Sequence, residues 1–237
     1  MISVFVRSYP GDFAWLEYSV QSMKKNLTGF NESVLVLPED CIAPQCAREF
    51  FTKVIHLPET YEGYIQQQLD KIRAYKYCSN ERIMFTDSDC IFYEPFDIEK
   101  ERMDGGKIIL PKTRYSSLRL VSAYKWREAT RKSTGIDPQF EYMRCFPILH
   151  HSDSLRWLDE SEHFNKYLNE KVKSNRSREH ILSCLSEFNA IGVIAEEFYS
   201  NHYRFIDTDC DEFLRHAKQY WSWGGLTPKI LTELESI

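Results

Sequence analysis

The chain has 237 residues and 43% hydrophobic content, enough for one sizeable core; its formal charge of -5 gives no general attraction to DNA, RNA or an anionic membrane. No apolar run approaches the roughly 18 residues needed to span a bilayer, and the opening Ile2–Val6 run leads straight into Arg7, so neither a transmembrane segment nor a signal peptide is expected. The seven cysteines, Cys41, Cys46, Cys78, Cys90, Cys145, Cys184 and Cys210, make no close metal-knuckle pattern and leave one unpaired in any full disulfide scheme, which favours a reducing, cytoplasmic setting.

Strand-like and helix-like pieces alternate along the first half. Ile2–Val6 reads as a strand, and Phe13–Met23 as an amphipathic helix with Phe13, Leu16, Val20 and Met23 on its apolar side. Ser33–Leu37 and Lys53–Leu57 read as strands, Tyr61–Tyr77 as a helix with Ile65, Leu69 and Ile72 inward, and residues 83–86 as a fourth strand. In the second half, Lys107–Leu110 and Phe146–Leu149 read as strands and Leu118–Lys132, Ser154–Leu168 and Arg178–Glu187 as helices; Val193–Glu197 continues the last helix or turns. Repeated strand, helix, strand connections predict an α/β domain with a central, mostly parallel sheet flanked by helices. Neither a repeat nor a flexible linker interrupts the chain, so one domain over residues 1–237 is expected.

The most informative stretch is Arg82–Phe92, where an apolar strand runs into Asp87 and Asp89. In an extended chain residues two apart face one side, so both carboxylates can serve one ion. Magnesium and manganese prefer oxygen ligands and sit between protein carboxylates and substrate phosphates, so the pair reads as half a metal site. The plainer reading is a pair of turn-capping aspartates, which the flanking Ile83-Met84-Phe85 and Ile91-Phe92 oppose, because acidic groups between apolar runs are hard to bury unpaired. Ligands in such sheets bind at the carboxyl ends of strands, where Arg7-Ser8-Tyr9 also falls, so the two loops should face one cleft.

At Phe85-Thr-Asp-Ser-Asp89 the chain resembles the small group of GT-A-fold, Asp-x-Asp glycosyltransferases that includes the N-terminal glycosyltransferase domain of a chlorella-virus protein and related bacterial and viral proteins. Further stretches that carry the resemblance are Arg7–Asp12, Gly63–Lys71, Leu185–Asn189 and Lys218–Gly225. It covers nearly all of the chain and implies a GT-A-like single domain, with a nucleotide-sugar half at about 1–110 and an acceptor half at about 111–237. It also implies Mn2+ or Mg2+ held at the Asp-x-Asp with the diphosphate of a nucleotide sugar, a UDP-sugar by resemblance, and a saccharide acceptor. Asp87 and Asp89 are then the metal residues, and Asp87 also touches the donor.

Other residues join the candidate site, each with a plainer role. Arg7, Ser8 and Tyr9 suit a base, ribose or phosphate, or form a polar loop closed by Pro10-Gly11. Gln67 and Lys71 share a helix face that is either solvated or turned to phosphate, and only the resemblance favours phosphate. Glu187 is preferred as general base on an acceptor hydroxyl, with inversion at the anomeric carbon; Asp153 is its rival, although both positions suit helix capping. Trp223 lies in an aromatic, glycine-containing segment able to fold over the donor or to pack as terminal core, and the nearby His216 can offer the cation a nitrogen. A second acidic run, Asp207–Asp211, reads as a helix-capping loop. Two other function classes fit the motif: a haloacid-dehalogenase-type phosphohydrolase using the first aspartate as nucleophile, and a non-catalytic carbohydrate- or partner-binding domain.

Overall fold

The structure is a computed structural model and describes residues 1–118, 121–144, 146–172, 185–207 and 216–235. The first half runs β1 (Ile2–Arg7), α1 (Phe13–Asn26), β2 (Leu27–Thr28), β3 (Glu32–Pro38), α2 (Gln45–Phe50), β4 (Lys53–Leu57), α3 (Gly63–Ile72), β5 (Arg82–Phe85) and β6 (Cys90–Phe92). It continues through β7 (Phe96–Asp97), α4 (Ile98–Arg102), β8 (Met103–Asp104) and β9 (Lys107–Arg114). The second half adds α5 (Val121–Thr134), β10 (Phe140–Glu141), β11 (Ile148–His151), α6 (Ser152–Glu160), α7 (Glu162–Tyr167), α8 (Glu187–Phe198), β12 (Tyr203–Asp207), β13 (Ala217–Gln219) and α9 (Pro228–Leu234).

The central sheet has the order β11-β5-β1-β3-β4, with β5, β1, β3 and β4 parallel and β11 antiparallel to β5. Every residue of β1 is buried, as a strand covered on both faces requires. The chain moves from β1 outward through β3 to β4, then crosses back to place β5 on the other side of β1. Right-handed crossovers therefore put α1 and α2 on one face and α3 on the other, where it packs with α6 and α8. The strand order reverses between β1 and β5, the place where sheets of this kind bind their ligands in a crevice at the carboxyl ends of the strands.

The fourth strand ends beside Asp87 as the apolar run predicts, but several boundaries move. The Tyr61–Tyr77 helix is shorter: α3 ends at Ile72 and a 3-10 turn, Ala74–Lys76, follows. The single Ser154–Leu168 helix is two, because Ser161 leaves helical geometry and caps α7 by accepting the Phe164 N–H. Glu187 opens a helix instead of closing one, and Val193–Glu197 lies within it; most of the Arg178–Glu187 prediction falls outside the described residues. Four cysteines, Cys41, Cys46, Cys78 and Cys90, are free thiols.

Two packing features of α8 and β11 have measurable consequences. A Cβ added at Gly192 would lie 2.3 Å from Tyr142 Cγ and 2.6 Å from its Cβ, so α8 reaches its neighbour only without a side chain there. Gly192→Ala therefore costs about 1–3 kcal/mol in a urea melt despite the better helix propensity of alanine. His150 is fully buried on β11, its ring parallel to that of Phe188 at a centroid distance of 6.2 Å, and burial pushes its pKa down to about 3. The unfolded chain binds this proton more readily than the fold does, so the contribution is intact above about pH 6.5 and is lost as pH falls toward 3. At pH 5 the loss reaches about 2 kcal/mol, and His150→Phe should flatten that part of the stability profile.

Candidate functional site

Asp87 and Asp89 are presented by a turn and not by the extended chain that their spacing suggests. The Thr86 N–H still donates to Phe5 O at 3.2 Å, continuing the β1–β5 ladder; then the Cys90 N–H donates to Asp87 O at 3.0 Å, folding Ser88 and Asp89 over. From this turn β6 leaves to pair with β13. That antiparallel ladder brings the C-terminal segment back onto the acidic pair. Gln219 Nε2 donates to Asp87 Oδ2 at 2.9 Å, the Tyr220 N–H to Asp89 O at 2.8 Å, and the Ser222 N–H to Asp89 Oδ2 at 2.9 Å.

On the other side stands Lys71, buried on α3. Its Nζ lies 2.7 Å from Asp87 Oδ1 and 3.2 Å from Glu187 Oε1, with the Phe188 and Phe146 rings around it. Of the two readings of the Gln67–Lys71 face, solvated or turned to phosphate, the solvated one fails for the lysine, whose ammonium is held by two carboxylates; Gln67 is half-buried, and Gln68 beside it accepts the Glu187 N–H at 3.2 Å. Burial alone would lower the Lys71 pKa, but the two carboxylates outweigh it and hold the ammonium well above its usual range. Glu187 is shifted upward by burial, against the pull of Lys71.

Asp12 is the acidic residue that the sequence reading missed. The loop after β1 closes as a 3-10 turn, Pro10–Asp12, and sets this carboxylate where Ser88 Oγ donates to it at 3.2 Å. Burial and the nearby Asp87 raise its pKa against the hydrogen bonds it accepts. Burial, then the charges of Asp87 and Asp12, push Asp89 up to about 7. Its Oδ1 is buried without a hydrogen-bond partner, as are Ser8 Oγ at the end of β1 and Gln68 Nε2 on α3. Orphaned polar atoms are rare in folded interiors; these lie near the carboxyl ends of β1 and β5, while others, Tyr115 Oη and His150 Nε2 among them, lie elsewhere.

The remaining predicted residues divide between this crevice and elsewhere. Tyr9 stands half-exposed on the rim, its pKa raised by burial and then by Asp12 and Asp89. Trp223 is 83% exposed and Trp221 60%, with ring centroids 6.5 Å apart, on either side of the serine that holds Asp89. Arg7 is buried and already engaged, 2.7 Å from Asp70 and 2.9 Å from Glu59, so it braces β1 against α3. His216 is three residues from Gln219 along the ladder; it faces Glu94 at 3.6 Å and Glu101 at 3.8 Å and is not brought to the acidic pair. Asp153 is not brought there either: it follows β11, whose last residue pairs with Arg82 at the opposite end of β5. Asp207 ends β12 within 3.8 Å of Lys112 and Arg114, and residues 208–211 of that run lie outside the described residues.

Asp153 instead joins His151 and His202 in the one group of three histidine, cysteine or acidic side chains, among the described residues, whose ligand atoms all lie within 4.8 Å of one another. These three could chelate a metal ion. Among known proteins, no family model and no curated sequence matches this chain. No helix among the described residues is long and apolar enough to cross a membrane.

The raised Asp89 fixes the sign of two pH effects. Its carboxyl holds a proton more tightly in the fold than unfolded, so the metal-free protein loses stability as pH rises from about 4 through 7. Asp89→Asn removes that loss and should melt higher at pH 8, by roughly 1–2 kcal/mol of stability. Any cation bound at this carboxylate would have to displace the same proton, so its affinity, read by calorimetry, should fall several-fold between pH 8 and pH 6.

Proposed function

We propose that this protein is a metal-dependent glycosyltransferase of the GT-A kind, moving a sugar from a nucleotide sugar, a UDP-sugar by resemblance, to a saccharide hydroxyl. The observation that carries the reading is the buried, partnerless Asp89 Oδ1 in a crevice where Asp12, Asp87, Asp89 and Glu187 stand against a single lysine. Carboxylates in excess of their counter-charge are costly to bury. A cation relieves that cost, and oxygen donors select Mn2+ or Mg2+. The donor set fits: Asp89 would hold the ion, with Asp87 and Asp12 beside it. When bound, the ion offsets the charge that builds on the departing diphosphate.

The chain's own groups do the rest. Lys71 fixes Asp87 and Glu187 relative to each other and supplies a permanent positive charge next to the crevice. Glu187 is the base: burial raises its proton affinity against the pull of Lys71, and taking the proton of an acceptor hydroxyl as that oxygen attacks the anomeric carbon gives inversion. Tyr9 on one rim and Trp221 and Trp223 on the other offer flat faces for a nucleobase or sugar ring. The location at the reversal of strand order, between β1 and β5, supports a nucleotide ligand.

Wild-type protein should gain thermal stability from UDP with Mn2+, and Asp89→Ala should abolish both that gain and sugar transfer while its far-UV spectrum stays unchanged. Retention of Mn2+-dependent UDP binding in the variant would sink the assignment, and stabilisation by a GDP-sugar alone would overturn the nucleotide. Glu187→Gln should lower turnover by about 10²–10⁴-fold with UDP binding near normal. The product should carry inverted anomeric configuration by NMR; a retained configuration would exclude Glu187 as the base.

A further inference from the structure

His151, Asp153 and His202 come from separate elements at the end of the sheet opposite the acidic crevice. His151 ends β11, Asp153 lies in the first turn of α6, and His202 sits in the 3-10 turn, Ser200–His202, between α8 and β12. His151 pairs with Arg82 at the start of β5, whereas Asp87 follows the far end of that strand, about 10 Å further along at the rise of an extended chain.

The spacing within the group is that of a coordination shell. Asp153 Oδ2 lies 3.3 Å from His151 Nδ1 and 3.4 Å from His202 Nε2. Two ligand atoms on a tetrahedral ion with bonds of about 2.0–2.1 Å are separated by about 3.4 Å, so both measured distances match edges of one tetrahedron. The Asp153 N–H donates to His151 Nδ1 at 3.3 Å, so that nitrogen is unprotonated and caps α6, and an ion bound there takes the place of this long hydrogen bond. His151 Nε2 then carries the proton, and the exposed Glu81 carboxylate lies 3.8 Å from it, beyond hydrogen-bond distance.

The backbone that carries the group is held in place, while the partly exposed His202 ring is not. Buried Tyr203, next in sequence to His202, accepts the His151 N–H on its hydroxyl at 2.8 Å and shares a hydrogen bond with Ser154 Oγ at 2.9 Å. Ser154 Oγ is in turn 2.8 Å from His151 O. One buried hydroxyl thus fixes β11, α6 and β12 at the place where the three ligands emerge.

We propose that His151, Asp153 and His202 form a second metal site, separate from the acidic crevice, which takes a borderline transition ion, Zn2+ above Mn2+ or Mg2+. Two imidazoles and one carboxylate suit zinc, cobalt or nickel, whereas the hard ions prefer all-oxygen sets. An ion there would tie α6 and β11 to the turn that connects α8 with β12, and the three protein ligands would leave one position open to solvent or a further ligand. The two imidazole rings stack in parallel, centroids 3.9 Å apart at 10°, and parallel rings cannot both aim a lone pair at one ion. The partly exposed His202 ring is the one that turns when the ion enters.

Cobalt and zinc ions, without any nucleotide, test this directly. Co2+ titrated into the full chain should give the intense visible bands of a tetrahedral site at one equivalent, and Zn2+ should displace them. Zn2+ at about 100-fold above its Kd should raise Tm by about 5–10 °C. His202→Ala, at a partly exposed position, and Asp153→Asn should lose the bands and the Tm shift, whereas Asp89→Asn should keep both. Absence of bands and of a Tm shift in the wild type overturns the proposal. So does their survival in His202→Ala, and so does their loss in Asp89→Asn, which would move the ion to the crevice.

Discussion

The ammonium of Lys71, buried between Asp87 and Glu187, ties the sheet to the second half of the chain. Removing an ammonium from water costs several kcal/mol, and only close carboxylates return it. Both partners are supplied here, one by the turn after β5 and the other by the first residue of α8, 116 positions further along than the lysine. Taking away either carboxylate would leave a buried charge half-compensated, so α3, the β5 turn and α8 must meet in one arrangement. Gln68 adds to this by accepting the Glu187 N–H, and the aromatic rings of Phe146 and Phe188 exclude water from the pair.

This arrangement leaves the other carboxylates of the crevice with little to neutralise them. Asp87 has its oxygens directed to Lys71 and Gln219, while Asp89 has one oxygen on the Ser222 N–H and the other on nothing. Asp12 adds a further negative group through the β1 loop. The C-terminal segment that makes these contacts is itself anchored, since Tyr220 packs on Trp15 and hydrogen-bonds Tyr93 through their hydroxyls. The acidity of the site is therefore built by elements that the hydrogen bonds and ring contacts hold in place.

Opposite ends of β5 thus present different coordination chemistry. The carboxyl end offers oxygen donors beside an open crevice rimmed by Tyr9, Trp221 and Trp223. The amino end offers two imidazoles and a carboxylate beside a buried tyrosine hydroxyl. The two ends differ in donor hardness, all oxygen at one and nitrogen with oxygen at the other.

Local pattern was enough to place β1, β3, β4 and β5, because buried parallel strands are short apolar runs and the helices between them repeat at 3.6 residues. It was also enough to place the Asp-x-Asp at the carboxyl end of a strand. Asp12 was not legible in this way, since a lone acid after Pro10-Gly11 looks like any turn residue until Ser88 reaches it from 76 positions away. Whether Lys71 meets solvent or phosphate was left open, because helix periodicity assigns a face but cannot say what covers it. The burial of that face, the replacement of His216 by Gln219 and Ser222 at the acidic pair, and the meeting of His151 with His202 were decided by tertiary structure. Contacts between distant segments leave no periodic trace in the sequence, and hydrogen bonds and ion pairs across such distances exist only once the sheet has assembled.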